Sequence, residues 1–406
     1  MNILVLARHF PTPDRSAGDL RLSETLTLLA AEHAVTFCAS AQSAQVSLLG
    51  QPAVTTYRRL LEQTGARIAD QSVIDCLKSG SFELVVFQVF HMATWYLSYA
   101  RYYQPSATMM IDTVDIHFER LLRKAALTGS SEDQAAAIAM QTEELEAYAA
   151  ADLLVTCSES DSAKVRAHGV ATPATVIPII NRPTPLRPYR AEVVKRLVFV
   201  GGFTHQPNED AMLYFCAEIF PKIVRAVPDA TLTIVGNAPT DRIRALQGPN
   251  IAVLGYVPDV AAILRDCGIS VAPLRYGSSL KGKIGEALAA GLPVVTTTIG
   301  AEGFGLTDGE NVLLGDTAEA FAARVVDLVR EPDLYRRIQT AGWTFFGEHF
   351  GTRAVADLVA ATIATARSIE PKRMRMKTRI ATGFEACRRD VDQLFARHVA
   401  WRFRRA

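Results

Sequence analysis

Between Gly277 and Glu286 the chain brings together Gly277, Lys281, Gly282, Lys283 and Glu286. Glycines let backbone amides approach an oxyanion closely, the first amides of a helix point at it, and two lysines add charge, so the set suits a diphosphate. Glu286, a helical turn further on, is placed to accept hydrogen bonds from ribose hydroxyls. The segment therefore predicts a nucleotide site. Gly277 to Lys283 also fits the Gly-x4-Gly-Lys core of a phosphate-binding loop, but Ile284 stands where Ser or Thr is needed to hold magnesium, which argues against an ATPase. The bland alternative leaves the lysines solvated and Glu286 on a helix surface.

Three other segments carry residues with chemical uses. Leu197 to Val200 is an apolar run ending in Gly201 and Gly202, whose amides could edge a phosphate site beyond a strand end, or merely form a tight turn. Asp112, Asp115 and His117 close another apolar run; such a cluster at a cleft rim would position an acceptor hydroxyl or a departing phosphate, and it is a poor metal site without a further ligand. Gly18 to Arg21, after Pro11 and Pro13, reads as a loop entering a helix, with amides free to face a cleft.

These groups need a frame. Strand-length apolar runs recur at 2–7, 34–39, 84–90, 108–111 and 152–157, each followed by helical spacing, and a second series lies at 197–200, 231–235, 251–254, 269–272, 293–297 and 311–314. Buried strands alternating with helices indicate α/β domains with doubly wound parallel sheets. Pro178, Pro183, Pro185 and Pro188 favour extended backbone between the two series. The expected division is a Rossmann-like domain at 1–180, a linker at 181–192, a second Rossmann-like domain at 193–350, and, at 351–406, a helix returning toward the first domain followed by a basic amphipathic tail.

The composition agrees, since 406 residues exceed one ordinary core and 49% hydrophobic with 21% charged residues is globular. Six dispersed cysteines suggest neither a zinc site nor a disulfide framework, so a reducing cytoplasm is expected. The opening run is too short for a signal-peptide core, and no stretch reaches the roughly 20 apolar residues of a membrane span. The net charge of +1 hides a tail, 367–406, with 12 Lys/Arg and 4 Asp/Glu, a local +8 against −7 elsewhere. Phe384, Leu394, Phe395, Trp401 and Phe403 are interspersed there. Such a segment predicts amphipathic helix, either packed on the protein or in peripheral contact with the inner face of a membrane.

The ordered set Gly201-Gly202, Gln206-Pro207-Asn208, Phe220-Pro221, Ile234-Val235-Gly236, Gly255-Tyr256-Val257 and Glu286 to Val294 resembles the retaining glycosyltransferases of family four, the glycosyl transferases group 1. The resemblance spans about 1–366 and is densest over 197–314. It implies the GT-B fold, two Rossmann-like domains facing a cleft, with the acceptor on the first and a nucleotide-sugar donor on the second. It further implies sugar transfer to a carbohydrate or lipid-linked acceptor hydroxyl with retention of configuration, in cell-surface polysaccharide or glycoconjugate synthesis, without nucleic acid. Lys283, Glu286 and His117 become the catalytic candidates, and Gly18, Gly201, Gly202, Lys281, Gly282, Lys283 and Glu286 the donor-binding ones; neither cofactor nor metal is expected. Relatives often carry two glutamates separated by seven residues, but Ser278 occupies the earlier position here, and Thr204 and His205 stand where an Arg and Lys are common. A nucleotide-sugar epimerase and a catalytically silent scaffold of the same fold are the competing readings.

Overall fold

The apolar runs fold into two parallel sheets whose central strands are buried on both faces, which is why they lack polar alternation. The computed structural model describes residues 1–403, with side chains to residue 389. The first sheet comprises β1 (Asn2–Ala7), β2 (Ala34–Ala39), β3 (Arg67–Ala69), β4 (Leu84–Gln88), β5 (Thr108–Asp112), β6 (Leu153–Thr156) and β7 (Ala174–Val176), in the order β3-β2-β1-β4-β5-β6-β7. The second comprises β8 (Arg196–Val200), β9 (Thr231–Val235), β10 (Ile251–Gly255), β11 (Ile269–Ala272), β12 (Val294–Thr296) and β13 (Leu313–Leu314), in the order β10-β9-β8-β11-β12-β13. Strand order reverses between β1 and β4 in one sheet and between β8 and β11 in the other. Ligands of open α/β sheets sit beyond the carboxyl ends at such reversals. The loops that follow β1, β4, β8 and β11 all line one cleft.

The helices that bear on that cleft are α1 (Ala17–Glu32), α2 (Phe90–Tyr103), α3 (His117–Thr128), α4 (Ser131–Ala150), α5 (Glu159–Ala167), α6 (Gln206–Tyr214) and α7 (Gly282–Ala289). Gly18 to Arg21, read above as a loop, forms the first turn of α1 instead: the hydroxyl of Ser16 accepts from the amide of Asp19 and caps the helix one residue before it starts. The mechanism is a Ser N-cap that the preceding prolines obscured.

After the second sheet, α8 (Pro332–Phe350) places Phe346 and Phe350 in the core beneath α7. The chain then turns at Gly351, and α9 (Thr352–Ser368) inserts Val355, Val359, Ile363 and Ala366 among Leu26, Val86 and Met110 of the first domain. Full burial of one such aliphatic side chain contributes roughly 1.5–3 kcal/mol, so α9 is anchored firmly to the first domain. The last helix, α10 (Met376–Phe403), lies against α2 through Ala386 and a 2.9 Å hydrogen bond from the Tyr99 hydroxyl to Glu385. The side chains of Leu394, Phe395, Trp401 and Phe403 lie outside the described residues.

Candidate active site

The cleft has a volume of about 1050 Å³ and is lined from both domains. Its floor is where two helix starts meet: a side chain at Gly282 would collide with Ala17, so the N-termini of α7 and α1 abut. The unpaired first amides of each helix, with the positive end of each dipole, give this point an affinity for anions. Gly18 and Gly282 belong here, and α6 opens toward the same space through His205, Pro207 and Asn208.

Lys283 and Glu286 lie deep in the cleft on one face of α7. Burial, reinforced by Lys281, lowers the Lys283 ammonium to about 7, although Glu286 opposes the change. Burial likewise raises the Glu286 carboxyl to about 7 against the pull of Lys283. The Lys283 ammonium also lies 5.6 Å from the centre of the Phe199 ring. Both groups are thus shifted toward neutrality, as is common where a site binds charged ligands.

Lys281 stands differently. Its ammonium donates to the carbonyl of Ser279 at 2.7 Å and approaches Glu302 at 3.4 Å, and burial lowers it to about 8. It lines the cleft but is tied to its own loop. The glycine pair also divides: Gly201 has its amide bonded to Val235 at 2.9 Å, within the sheet, so it lends no donor to the cleft. Gly201 and Gly202 are small because Asn208 and Asn237 pack on them, and the Asn208 amide donates to the Gly202 carbonyl at 2.7 Å. The amide donors expected from this pair therefore reduce to that of Gly202.

On the first domain, Asp112 does not join the rim. It is buried and accepts two bonds, at 2.6 and 2.8 Å, from Arg21, which also donates to the carbonyls of Ile177 and Pro178. Asp115 and His117 do line the cleft. Asp115 pairs with Arg120 and accepts from Ser278; despite burial, which acts the other way, Arg120 and His117 hold its carboxyl below the usual range. Nδ1 of His117 lies 3.3 Å from Glu144, a fully buried carboxylate that also accepts from the amides of His117 and Phe118 and from Tyr148. His205 stands exposed at the cleft near Lys283, Arg120 and His117; partial desolvation by the cleft walls, and then these charges, lower its imidazole from the ordinary histidine value.

Several residues lining the cleft or bracing the domains beside it carried no signal in the sequence. Glu302 accepts from Arg123 at 2.7 and 2.8 Å and forms an ion pair with Lys164 at 2.8 Å, linking α3 and α5 of the first domain to the second. His91 stacks with Trp95 at 6.1 Å on the outer wall, and Arg15 lies over Tyr256, 4.3 Å from the ring centre. Val89, Val114 and Ser279 are non-glycine residues with positive φ, and all three line the cleft. Backbone held in that region costs of order 1–3 kcal/mol and gathers where a ligand site over-determines it.

Residues 194–331 match the family model of the glycosyl transferases group 1. The second domain is a glycosyl transferases group 1 domain. The group 1 domain therefore contains α7, Lys283, Glu286 and the Gly201-Gly202 turn. An uncharacterized 44.6 kDa protein in the cps region of Klebsiella pneumoniae is 24% identical over 168 residues, 39% of this chain and 43% of that one. Phosphatidyl-myo-inositol mannosyltransferase of Mycobacterium leprae is 32% identical over 156 residues, 36% of this chain and 41% of its own length. The chain thus aligns with less than half of these curated relatives. Among solved structures, Anabaena HepE in complex with UDP and glucose superimposes with a TM-score of 0.64 at 14% identity, covering 90% of this chain and 100% of HepE. Sucrose-phosphate synthase from Thermosynechococcus elongatus gives 0.65 at 15%, covering 90% and 99%. The group 1 domain and its partner thus form a GT-B fold.

Proposed function

We propose that the chain transfers a sugar from a nucleotide diphosphate to an acceptor hydroxyl with retention of configuration. The observation that carries this is the placement of Lys283 and Glu286, in a group 1 domain, beside the abutting starts of α1 and α7. The relatives named as mannosyltransferases and the HepE complex with UDP and glucose support a nucleotide-sugar donor.

In this reading the diphosphate lies over the starts of α7 and α1, the ribose hydroxyls donate to Glu286, and the sugar points toward His117. The bond between the anomeric carbon and the phosphate oxygen breaks, the acceptor oxygen bonds to that carbon from the same face, and the acceptor proton passes to the departing phosphate. Charge grows on that phosphate in the transition state. Lys283 and the helix-start amides stabilise it without reorganising, which is the efficient way to lower such a barrier. The Lys283 charge takes the place of a metal. The aromatic wall of His91 and Trp95 lies on the side assigned to the acceptor, a carbohydrate or lipid-linked glycan of the cell surface.

Incubation with UDP-, GDP- and ADP-sugars, with and without glycan and lipid-linked acceptors, tests the proposal. Nucleotide release and an anomeric proton retaining the donor configuration are expected. Conversion of the donor to its epimer without an acceptor, or no nucleotide binding with any donor, overturns it.

A further inference from the structure

Among the described residues no helix is long and apolar enough to cross a membrane, yet α10 exposes an apolar stripe. Met376, Ile380 and Phe384 are 72%, 52% and 73% exposed, and their spacing of four residues places them along one side of the helix. The other side is occupied: Thr382 and Ala386 are buried, Glu385 bonds Tyr99, and the Arg389 guanidinium lies 5.1 Å from the centre of the Tyr99 ring. The helix is therefore held by α2 with its apolar stripe turned away from the protein. Lys377 and Arg388, both exposed, border that stripe.

We propose that this face of α10 docks on the surface of an anionic lipid bilayer. Charge complementarity selects the partner, because residues 367–406 carry +8 while the remainder of the chain carries −7. Exposed apolar side chains bordered by basic ones match the boundary between acyl chains and anionic headgroups. A nucleic acid would use the charge and leave Met376, Ile380 and Phe384 without a partner. The placement has a geometric consequence: α2 holds α10 through Tyr99 and, one turn earlier, presents Trp95 to the cleft. Docking thus brings the outer wall of the cleft to the membrane surface, independently of which sugar is transferred.

The test is sedimentation of the whole chain with vesicles of 70% phosphatidylcholine and 30% phosphatidylglycerol, against pure phosphatidylcholine, at 50 and 300 mM NaCl. Binding to the anionic vesicles only, weaker in high salt, is expected. Met376→Ser/Ile380→Ser/Phe384→Ser should lose binding at least 10-fold while melting temperature and nucleotide binding stay unchanged, and Lys377→Glu/Arg388→Glu should do the same. No binding to anionic vesicles, or undiminished binding by both variants, overturns the proposal. So does a dimer that the serine variant dissociates, which would give the stripe to a second copy, or an RNA oligonucleotide that binds and displaces the vesicles.

Discussion

Ser278 of the second domain donates to the carboxylate of Asp115 in the first, and also to the carbonyl of Ile116 at 2.8 Å. The hydroxyl thus fastens the loop ahead of α7 across the mouth of the cleft, at a position where relatives often carry a glutamate. A second carboxylate there would face Asp115 in a buried setting, and like charges so placed cost several kcal/mol. Ser278→Glu should therefore open the domains, raising the radius of gyration in small-angle scattering and lowering transfer at least ~10-fold. Higher activity in that variant would show that the position serves the sugar and not closure.

Lys283 should dominate nucleotide affinity. A hydrogen bond from a charged donor contributes roughly 1.5–3 kcal/mol, so Lys283→Met is expected to weaken a nucleoside diphosphate about 10- to 100-fold, read as loss of its thermal shift. Burial and the neighbouring Lys281 hold the ammonium down at about 7. A bound diphosphate favours its charged form, so binding takes up a proton and affinity falls as pH rises above about 7. Calorimetry in two buffers of different ionisation enthalpy should give more protons taken up by the natural chain than by the variant. Equal proton numbers would refute this role.

Glu302 ties the domains through a different kind of contact. Burial disfavours its charge, but Arg123, Lys164 and Lys281 outweigh that and hold it at about 2. A carboxyl depressed in the folded state contributes stability above its unfolded value near 4.5, and loses it as pH falls from there toward 2. Glu302→Gln should cost on the order of 2 kcal/mol at pH 7. The difference in melting temperature between the two chains should narrow between pH 4.5 and 3, and a constant difference would exclude the ionic account.

The sequence made the central strands legible because each is a continuous apolar run: β1, β2, β9 and β11 lie at the residues expected. The edge strands β3 (Arg67–Ala69) and β7 (Ala174–Val176) escaped, since three residues with one covered side make no run. The site divided in the same way. Gly282, Lys283 and Glu286 sit within one short helix, where spacing along the chain fixes spacing in the fold. Glu302 is one acidic residue in a turn, and only the approach of α3 and α5 from the other domain gives it partners. Asp112 misled for the converse reason. Its partner Arg21 is 91 residues away, and nothing local distinguishes a carboxylate bound to a buried arginine from one at a rim.

His117 offers the final test. Glu144 accepts from two backbone amides at the start of α3 and lies beside Nδ1, which fixes the imidazole in one orientation and favours a proton on that nitrogen. The remaining ring nitrogen is then an acceptor, suited to a sugar or acceptor hydroxyl. Glu144→Gln keeps the size and one accepting oxygen, enough for the His117 amide and the Tyr148 hydroxyl, but turns an NH2 toward the Phe118 amide and removes the negative charge beside Nδ1. It should lower kcat about 10-fold or more with little change in the KM of the donor, because the ring is positioned for the transferred group and not for the nucleotide. His117→Ala should lower kcat at least as far, and adding Glu144→Gln to it should change little further, since the two act as one unit. Losses that multiply in the double variant would instead make Glu144 a structural cap of α3 alone.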